Sequence, residues 1–429
     1  MEKKIPTLLF LLLILITFLI FAKTDLIGFC SILIVTLIIY FLAQFWPSVA
    51  KILYVALSIR MLLIFLDGNF ITLPDGAGDA YYFELHAYEF SKKGFPNVLY
   101  ELPGFEESFF ISYIIGILYS LTDRSLLMAQ SISLLFGTSV VLLSWILAEK
   151  IWDKPTAMKV GWFTALFPTL ILYSCIIMRE MYVAFFVLLA LNYVVDWFHT
   201  RGIKSFCLAI VSFMAGTTFH GGVFIGLITF IIIVLLIKIK NIFRKLFNGL
   251  ISLNSLIFFV LLVTSAVYVS SSSFHIPKIG NVNDFDYIRK NLLKKNMVTH
   301  RGDAKYPSWT IAKSEGELIY KIPVRVVYLI FSPFPWDVKK KSHLVGMFDS
   351  FFYMFFVYLI FRNRKVVWAD PILRTILLIL FTYLIVYGIS VANFGTGIRH
   401  RMKFVVMFIL LAGPLLPRFN FSRKNKMKK

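Results

Sequence analysis

Residues 160–195 read VGWFTALFPTLILYSCIIMREMYVAFFVLLALNYVV, and only Arg179 and Glu180, side by side, carry charge among these 36 residues. Each flank comes close to the roughly 17–25 apolar residues that a helix needs to cross a bilayer. Charge retained inside such a run is costly and generally faces a cavity or a partner. The stretch therefore reads as two membrane helices that meet at a charged boundary.

The whole chain agrees with that reading. Its 429 residues are 59% hydrophobic and only 16% charged, whereas a soluble domain is nearer half apolar and a quarter charged. A secreted disulfide scaffold, a soluble two-domain enzyme and a disordered regulator are excluded. The net charge is +21, from 44 Lys and Arg against 23 Asp and Glu. On a membrane protein this excess reads as basic cytoplasmic loops that set orientation. The expected partner is the lipid bilayer and not nucleic acid. Cys30, Cys175 and Cys207 all fall in apolar runs without metal-ligand spacing.

Twelve apolar segments are long enough to span, near 6–22, 26–45, 50–66, 127–148, 157–178, 182–198, 204–218, 222–237, 250–270, 344–361, 371–392 and 402–417. The first could mimic a signal peptide, but no small-x-small cleavage site follows, so it reads as a membrane helix. With a cytoplasmic N-terminus, the basic clusters Lys3/Lys4, Lys150/Lys154/Lys159, Arg201/Lys204, Lys238–Lys245, Arg362–Lys365 and the tail from Arg418 all fall inside. Two further apolar stretches, 109–121 and 322–336, must then not cross. They read as helices on the outer leaflet, the second interrupted by Pro323, Pro333 and Pro335. Fourteen spans is the alternative.

The expected fold class is an all-α polytopic membrane protein of about 12 transmembrane helices, with two long extracytoplasmic loops carrying surface helices. Its parts are N-terminal helices (1–66), a first outer loop with an acidic motif (67–126), a central bundle (127–270), a second outer loop (271–343), C-terminal helices (344–417) and a basic cytoplasmic tail (418–429).

Three constellations could carry chemistry. The first outer loop contains LPDGAGDAYYFELHA from Leu73 to Ala87. A helix is expected to begin at Asp79, which can cap it. Asp79, Phe83 and His86 would then share one side, with Glu84 a turn further round. A carboxylate at such a place can take a proton from a hydroxyl; the plainer alternative makes Asp79 a cap and Asp75 a turn residue. The second constellation is the Arg179–Glu180 pair. The third, NFGTGIRHRMK from Asn393 to Lys403, puts Arg399, His400, Arg401 and Lys403 behind two glycines. Arginine forks match phosphate oxygens, so this motif suits a phosphate or pyrophosphate headgroup. Weaker candidates are Arg60, which could pair with an outer-loop carboxylate, and His220. Asp67, Glu106 and Glu107 read as ordinary loop charge. No HExxH, Walker A, GxSxG or paired CxxC occurs, so no hydrolase, ATPase or zinc enzyme is indicated.

The order of these parts resembles the GT-C superfamily of integral membrane glycosyltransferases, which carry an acidic motif in the first long outer loop. The match runs from about Arg60 to Arg201 through the Asp-rich loop, Pro103-Gly104, Leu135-Phe136-Gly137, Leu166-Phe167-Pro168 and Arg179-Glu180. The ending GTGIRHRMKF resembles polysaccharide-assembly proteins of bacterial surface-glycan clusters, including Wzy-like repeat-unit polymerases. Two spans precede the acidic loop where typical members have one, and no compact Asp-Asp or Asp-Glu dyad is present. The resemblance implies an enzyme of the bacterial cytoplasmic membrane with cytoplasmic termini and an extracytoplasmic site. The donor would be a sugar on a polyprenyl phosphate or diphosphate, and the acceptor a glycan or a lipid-linked glycan. Asp79 would be the base, with Asp75 as its substitute. Arg399, Arg401 and Arg179 would stabilise the leaving phosphate, with His400 in the same headgroup motif. His220 is carried as a substrate-binding candidate. Glu84 and Glu180 would orient sugar hydroxyls or hold Arg179. No cofactor is demanded, although a divalent metal is compatible. The product would be either a polymerised repeat unit or a single added sugar, and the C-terminal motif leans toward the polymerase. The competing classes are a lipid-linked oligosaccharide flippase and a non-catalytic scaffold. Transporters place ionisable groups near the midplane, whereas these clusters are expected at one face.

Overall fold

The computed structural model describes residues 25–100, 109–247 and 302–419, together with isolated positions before and between them. The expected spans at 6–22 and 250–270, Glu106, Glu107, the first part of the second outer loop and the basic tail lie largely or wholly outside the described residues. What is described is overwhelmingly helical. An N-terminal group comprises α1 (Leu26–Phe45), α2 (Ala50–Asn69), α3 (Tyr81–Ser91) and α4 (Phe110–Leu121). A central group runs α5 (Leu126–Ile151), α6 (Lys154–Leu166), α7 (Pro168–Tyr173), α8 (Arg179–Thr200), α9 (Ile203–Phe219) and α10 (Phe224–Phe247). The C-terminal group is α11 (Glu315–Phe331), α12 (Lys341–Arg362), α13 (Arg364–Ala369), α14 (Pro371–Ser390), α15 (Phe394–Met402) and α16 (Val405–Ala412). A two-residue antiparallel pair joins His275–Ile276 to Gly280–Asn281.

Among the described residues, five helices are long and apolar enough to cross a membrane: α1, α5, α8, Gly221–Arg244 (most of α10) and α14. Twenty helical residues rise about 30 Å, the thickness of a hydrocarbon core. These five coincide with expected spans. Helices α2 and α12 fill two more of the expected segments, at 20 and 22 residues. At 12 residues, α4 rises only about 18 Å, too little to cross.

Three segments differ from the sequence expectation. The run 157–178 is not one helix. Pro168 disfavours α geometry at the residue before it; Phe167 is extended (φ −69°, ψ 122°), and α7 begins afresh at Pro168. The chain leaves helical geometry again after Tyr173, and Met178 is extended (φ −134°, ψ 134°) as it starts α8. This double break makes Arg179 the first residue of a helix. The run 402–417 is likewise divided, α15 ending at Met402 and α16 starting at Val405. By contrast α11 starts at Glu315 and passes straight through Pro323, packed along α14.

The core is mainly apolar, with α5, α8 and α9 packed side by side and α16 wholly buried against α6, α12 and α14, and a few charged side chains such as Arg60, Arg325 and Arg401 are buried within it. Polar caps fix the helix ends. Asp25 caps α1 by accepting from Gly28 N (2.8 Å), and its other oxygen accepts from Ser125 Oγ (2.5 Å), the cap of α5. The α5 backbone meets the broken segment at Gly137, where any Cβ would collide with the Ser174 side chain. Ser174 Oγ accepts from buried Arg60 Nε at 2.8 Å, and Arg60 Nη1 donates to the carbonyls of Ala56 and Ala165. Arg60 thus braces the helix break, and among the described residues it pairs with no outer-loop carboxylate.

Candidate active site

Asp75 occupies the left-handed region (φ 65°), which aspartate tolerates better than most residues. A single π-type turn, Gly76–Ala80, follows and feeds into α3, with Gly78 breaking helical geometry (φ −100°, ψ −122°). Neither aspartate caps a helix: no side-chain cap bond forms at Asp75 or at Ala80, the residue that precedes α3. This corrects the expectation that Asp79 starts and caps the helix. Both carboxylates turn instead to a residue more than 300 positions away. Arg399 Nη2 and Nε donate to Asp75 Oδ1 and Oδ2 at 2.6 and 3.0 Å, and Arg399 Nη1 donates to Asp79 Oδ2. Tyr173, at the end of α7, donates its hydroxyl to Asp75 Oδ2 at 2.8 Å. Burial works against the Arg399 charge, but the hydrogen bonds and charge of Asp75 outweigh it and hold the guanidinium above its ordinary range. Asp75 is thereby fully engaged, whereas the Asp79 side chain is 55% exposed.

Arg399 owes its position to α15. Asn393 caps that helix by accepting from Gly395 N (2.8 Å) and Thr396 N (3.3 Å). The backbone on either side is pinned to the second loop by Tyr306 N→Ala392 O (2.9 Å) and Phe394 N→Ala304 O (2.8 Å). Arg401, two residues on, points to the opposite side and is fully buried. Its Nε donates to Asp349 Oδ2 (3.0 Å), Nη1 to the carbonyls of Ile330 and Ser332 (2.7 and 2.6 Å), and Nη2 to Gly346 O and Ser350 Oγ (3.2 and 3.1 Å). All five guanidinium protons are committed. Arg401 therefore ties α15 to α11 and α12 and has no donor to offer a phosphate, contrary to the expectation that it joins Arg399 in a headgroup site.

The Arg179–Glu180 pair lies at the same end of the bundle. Arg179 lines a cavity of about 350 Å³ together with Asp79, Tyr82, Phe83, His86 and Phe109. The side of α3 expected from spacing, Asp79–Phe83–His86, is thus the wall of one cavity. Arg179 Nη1 is buried and makes no hydrogen bond with any described residue. Glu180 is buried, 4.0 Å from Arg179 Nε and 3.6 Å from Lys403 Nζ. Lys403 in turn lies 2.9 Å from His400 Nδ1. Gly222 N donates to His220 Nδ1 (3.2 Å), and the Tyr387 hydroxyl lies 2.8 Å from the same nitrogen. The His220 and His400 rings are 5.3 Å apart. His220, His400 and Lys403 therefore form a polar backing behind Glu180 and do not line the cavity with Asp79.

Glu84 faces away from that cavity. Arg124 grips it with Nε→Oε1 at 2.8 Å and Nη2→Oε2 at 2.6 Å, and Tyr119 donates its hydroxyl to Oε1 at 3.1 Å. Burial and the Glu84 charge push the Tyr119 hydroxyl well up, so it remains a neutral donor. Glu84 thus holds Arg124 and not Arg179. Asp67, read as loop charge, accepts from Leu73 N (2.7 Å) and Gln130 Nε2 (3.1 Å) and orders the entry to the Asp-rich turn. Sequence reasoning passed over Arg124, Tyr119 and Tyr173, whose partners lie 35 to 98 residues away. Among the described residues no three His, Cys, Asp or Glu side chains gather as a metal site. Comparison with family models, with curated proteins and with solved structures finds no match.

Proposed function

We propose that the chain is a glycosyltransferase of the bacterial cytoplasmic membrane that takes a sugar, or a glycan repeat unit, from a polyprenyl phosphate or diphosphate at the outer leaflet. The observation that carries this reading is the junction of Asp75 and Asp79 with Arg399 at a cavity that also receives Arg179. It sets an exposed carboxylate, bonded to the Arg399 guanidinium, in a cavity that Arg179 also lines. Those groups suit a reaction in which a hydroxyl loses a proton while a phosphate gains charge.

In that reaction the acceptor hydroxyl oxygen attacks the anomeric carbon. The bond from that carbon to the lipid phosphate oxygen breaks, and its electron pair leaves with the phosphate. Asp79 accepts the hydroxyl proton. The Arg179 guanidinium and Arg399 Nη1 meet the growing charge on the phosphate, where preorganised donors are worth most. A phosphate that competes for Arg399 Nη1 would release Asp79 as the donor arrives, while the bidentate bond to Asp75 keeps Arg399 in place. Twelve spans with both termini in the cytoplasm would put this junction outside, where lipid-linked sugars are used in surface-glycan assembly.

Deleting the gene and profiling lipid-linked and surface glycans tests the reading. Single repeat units at the surface without long chains identify a polymerase, and a glycan short of one sugar identifies a single-sugar transferase. Intermediates trapped on the cytoplasmic leaflet, or unchanged glycans, would overturn the proposal.

A further inference from the structure

A second cavity, of about 380 Å³, opens on the other side of the Asp-rich turn and of α3. Its polar lining is Asp67, Tyr81, Glu84, Arg124 and Gln130, with Leu126 beside them. The volume falls within the roughly 300–1,000 Å³ of small-ligand sites. The two cavities share a wall: Gly76 and Ala80 line this one and Asp79 the other. Their electrostatics differ. Here two carboxylates face one guanidinium, and that guanidinium is already bidentate to Glu84. An anion gains nothing from such a site. On the Asp79 side, Arg179 lines the cavity, and its Nη1 makes no hydrogen bond with any described residue.

We infer that the second cavity is a subsite for a neutral saccharide, the non-reducing end of the acceptor glycan, resting on the glycosyl-transfer reading above. Arg124 holds Glu84 through two hydrogen bonds, and Gln130 holds Asp67 through one. Glu84 Oε2 and the two Asp67 oxygens accept one hydrogen bond each and keep a second lone pair for a hydroxyl, whereas Glu84 Oε1 is taken by Arg124 and Tyr119. Such preordered acceptors lose little freedom when a sugar binds. Tyr81, 52% exposed, offers a ring face to the C–H side of a pyranose. A saccharide held here would present a hydroxyl across the turn toward Asp79, opposite the phosphate. The subsite therefore sets which sugar is extended, and the Asp79–Arg179 cavity sets which leaving group is accepted.

The test is saturation-transfer NMR on the full chain in nanodiscs, with the methyl glycosides of glucose, galactose, mannose and N-acetylglucosamine as probes. At least one glycoside is expected to bind the wild type and Asp79→Asn alike. Leu126→Trp fills the cavity from a position 49% exposed, and Tyr81→Ala removes the platform. Each is expected to weaken binding at least fivefold without lowering the melting temperature. Absence of binding by all four glycosides, or binding indifferent to both substitutions, would overturn the subsite. Failure of the glycosyl-transfer reading is seen separately, as unchanged glycans in the deletion strain.

Discussion

Arg401→Ala is expected to yield no stably folded protein, although Arg401 lies only two residues from Arg399, where the same change is expected to leave the fold intact. Its guanidinium is fully buried and bonded to Asp349, Ser350 and the carbonyls of Ile330, Ser332 and Gly346. Its plane also lies over the Tyr353 ring, 4.8 Å from the centroid. Removing one partner of a buried charge pair costs about 3–5 kcal/mol, because the other charge is left without compensation. Three carbonyls lose a donor at the same time. Against a typical total stability of about 5–15 kcal/mol, the loss takes most of what holds α15 to α11 and α12. Asp349→Asn, which keeps an acceptor of the same shape, is expected to be milder. Fluorescence-detected size-exclusion chromatography of detergent extracts reads both. A monodisperse Arg401→Ala peak with the wild-type melting temperature would show that the tie is dispensable.

Arg399→Ala is expected to behave in the opposite way, folding normally while losing activity by at least about a hundredfold. The side chains it pairs with are 29% and 55% exposed, so water can take over their hydration and little stability is lost. Loss of a donor aimed at developing charge lowers turnover by roughly 10²–10³. Arg399→Lys is expected to recover only part of the activity, since one ammonium cannot grip Asp75 with two parallel bonds and still reach Asp79. Surface-glycan yield at matched protein abundance, read beside the melting temperature, separates this outcome from misfolding. Wild-type yield from Arg399→Ala would remove Arg399 from the reaction.

That contrast between neighbours was partly legible in the sequence. Helical residues at i and i+2 do not share a face, so Arg399 and Arg401 could not both point at one phosphate once 394–402 was helical. Charge in apolar sequence was the most informative signal, because hydrocarbon tolerates it only for a reason; it singled out Arg179, Glu180 and the basic motif. The five long apolar helices were legible for the same physical reason. Phe167-Pro168 carried a readable break, since the residue before proline resists α geometry, yet the length of the apolar run masked it. What one chain could not reveal was partnership at a distance. Asp79 looked like a cap because Asp suits a cap, and its bond to Arg399 spans 320 residues. Arg124 carried no local signal, because Glu84, 40 residues earlier, is what fixes it. Arg60 was conspicuous as a charge inside an apolar span, but its serine and carbonyl partners are too common in sequence to single out.

Whether Asp79 takes the acceptor proton is tested most directly by complementing a deletion strain with Asp79→Asn at wild-type abundance. Asparagine keeps the size and an acceptor for Arg399 but cannot serve as the base. The strain is expected to show the same truncated glycans and accumulated lipid-linked intermediates as the deletion, with the variant folded and membrane-located. Full restoration of the glycan by Asp79→Asn would show that Asp79 is not the base.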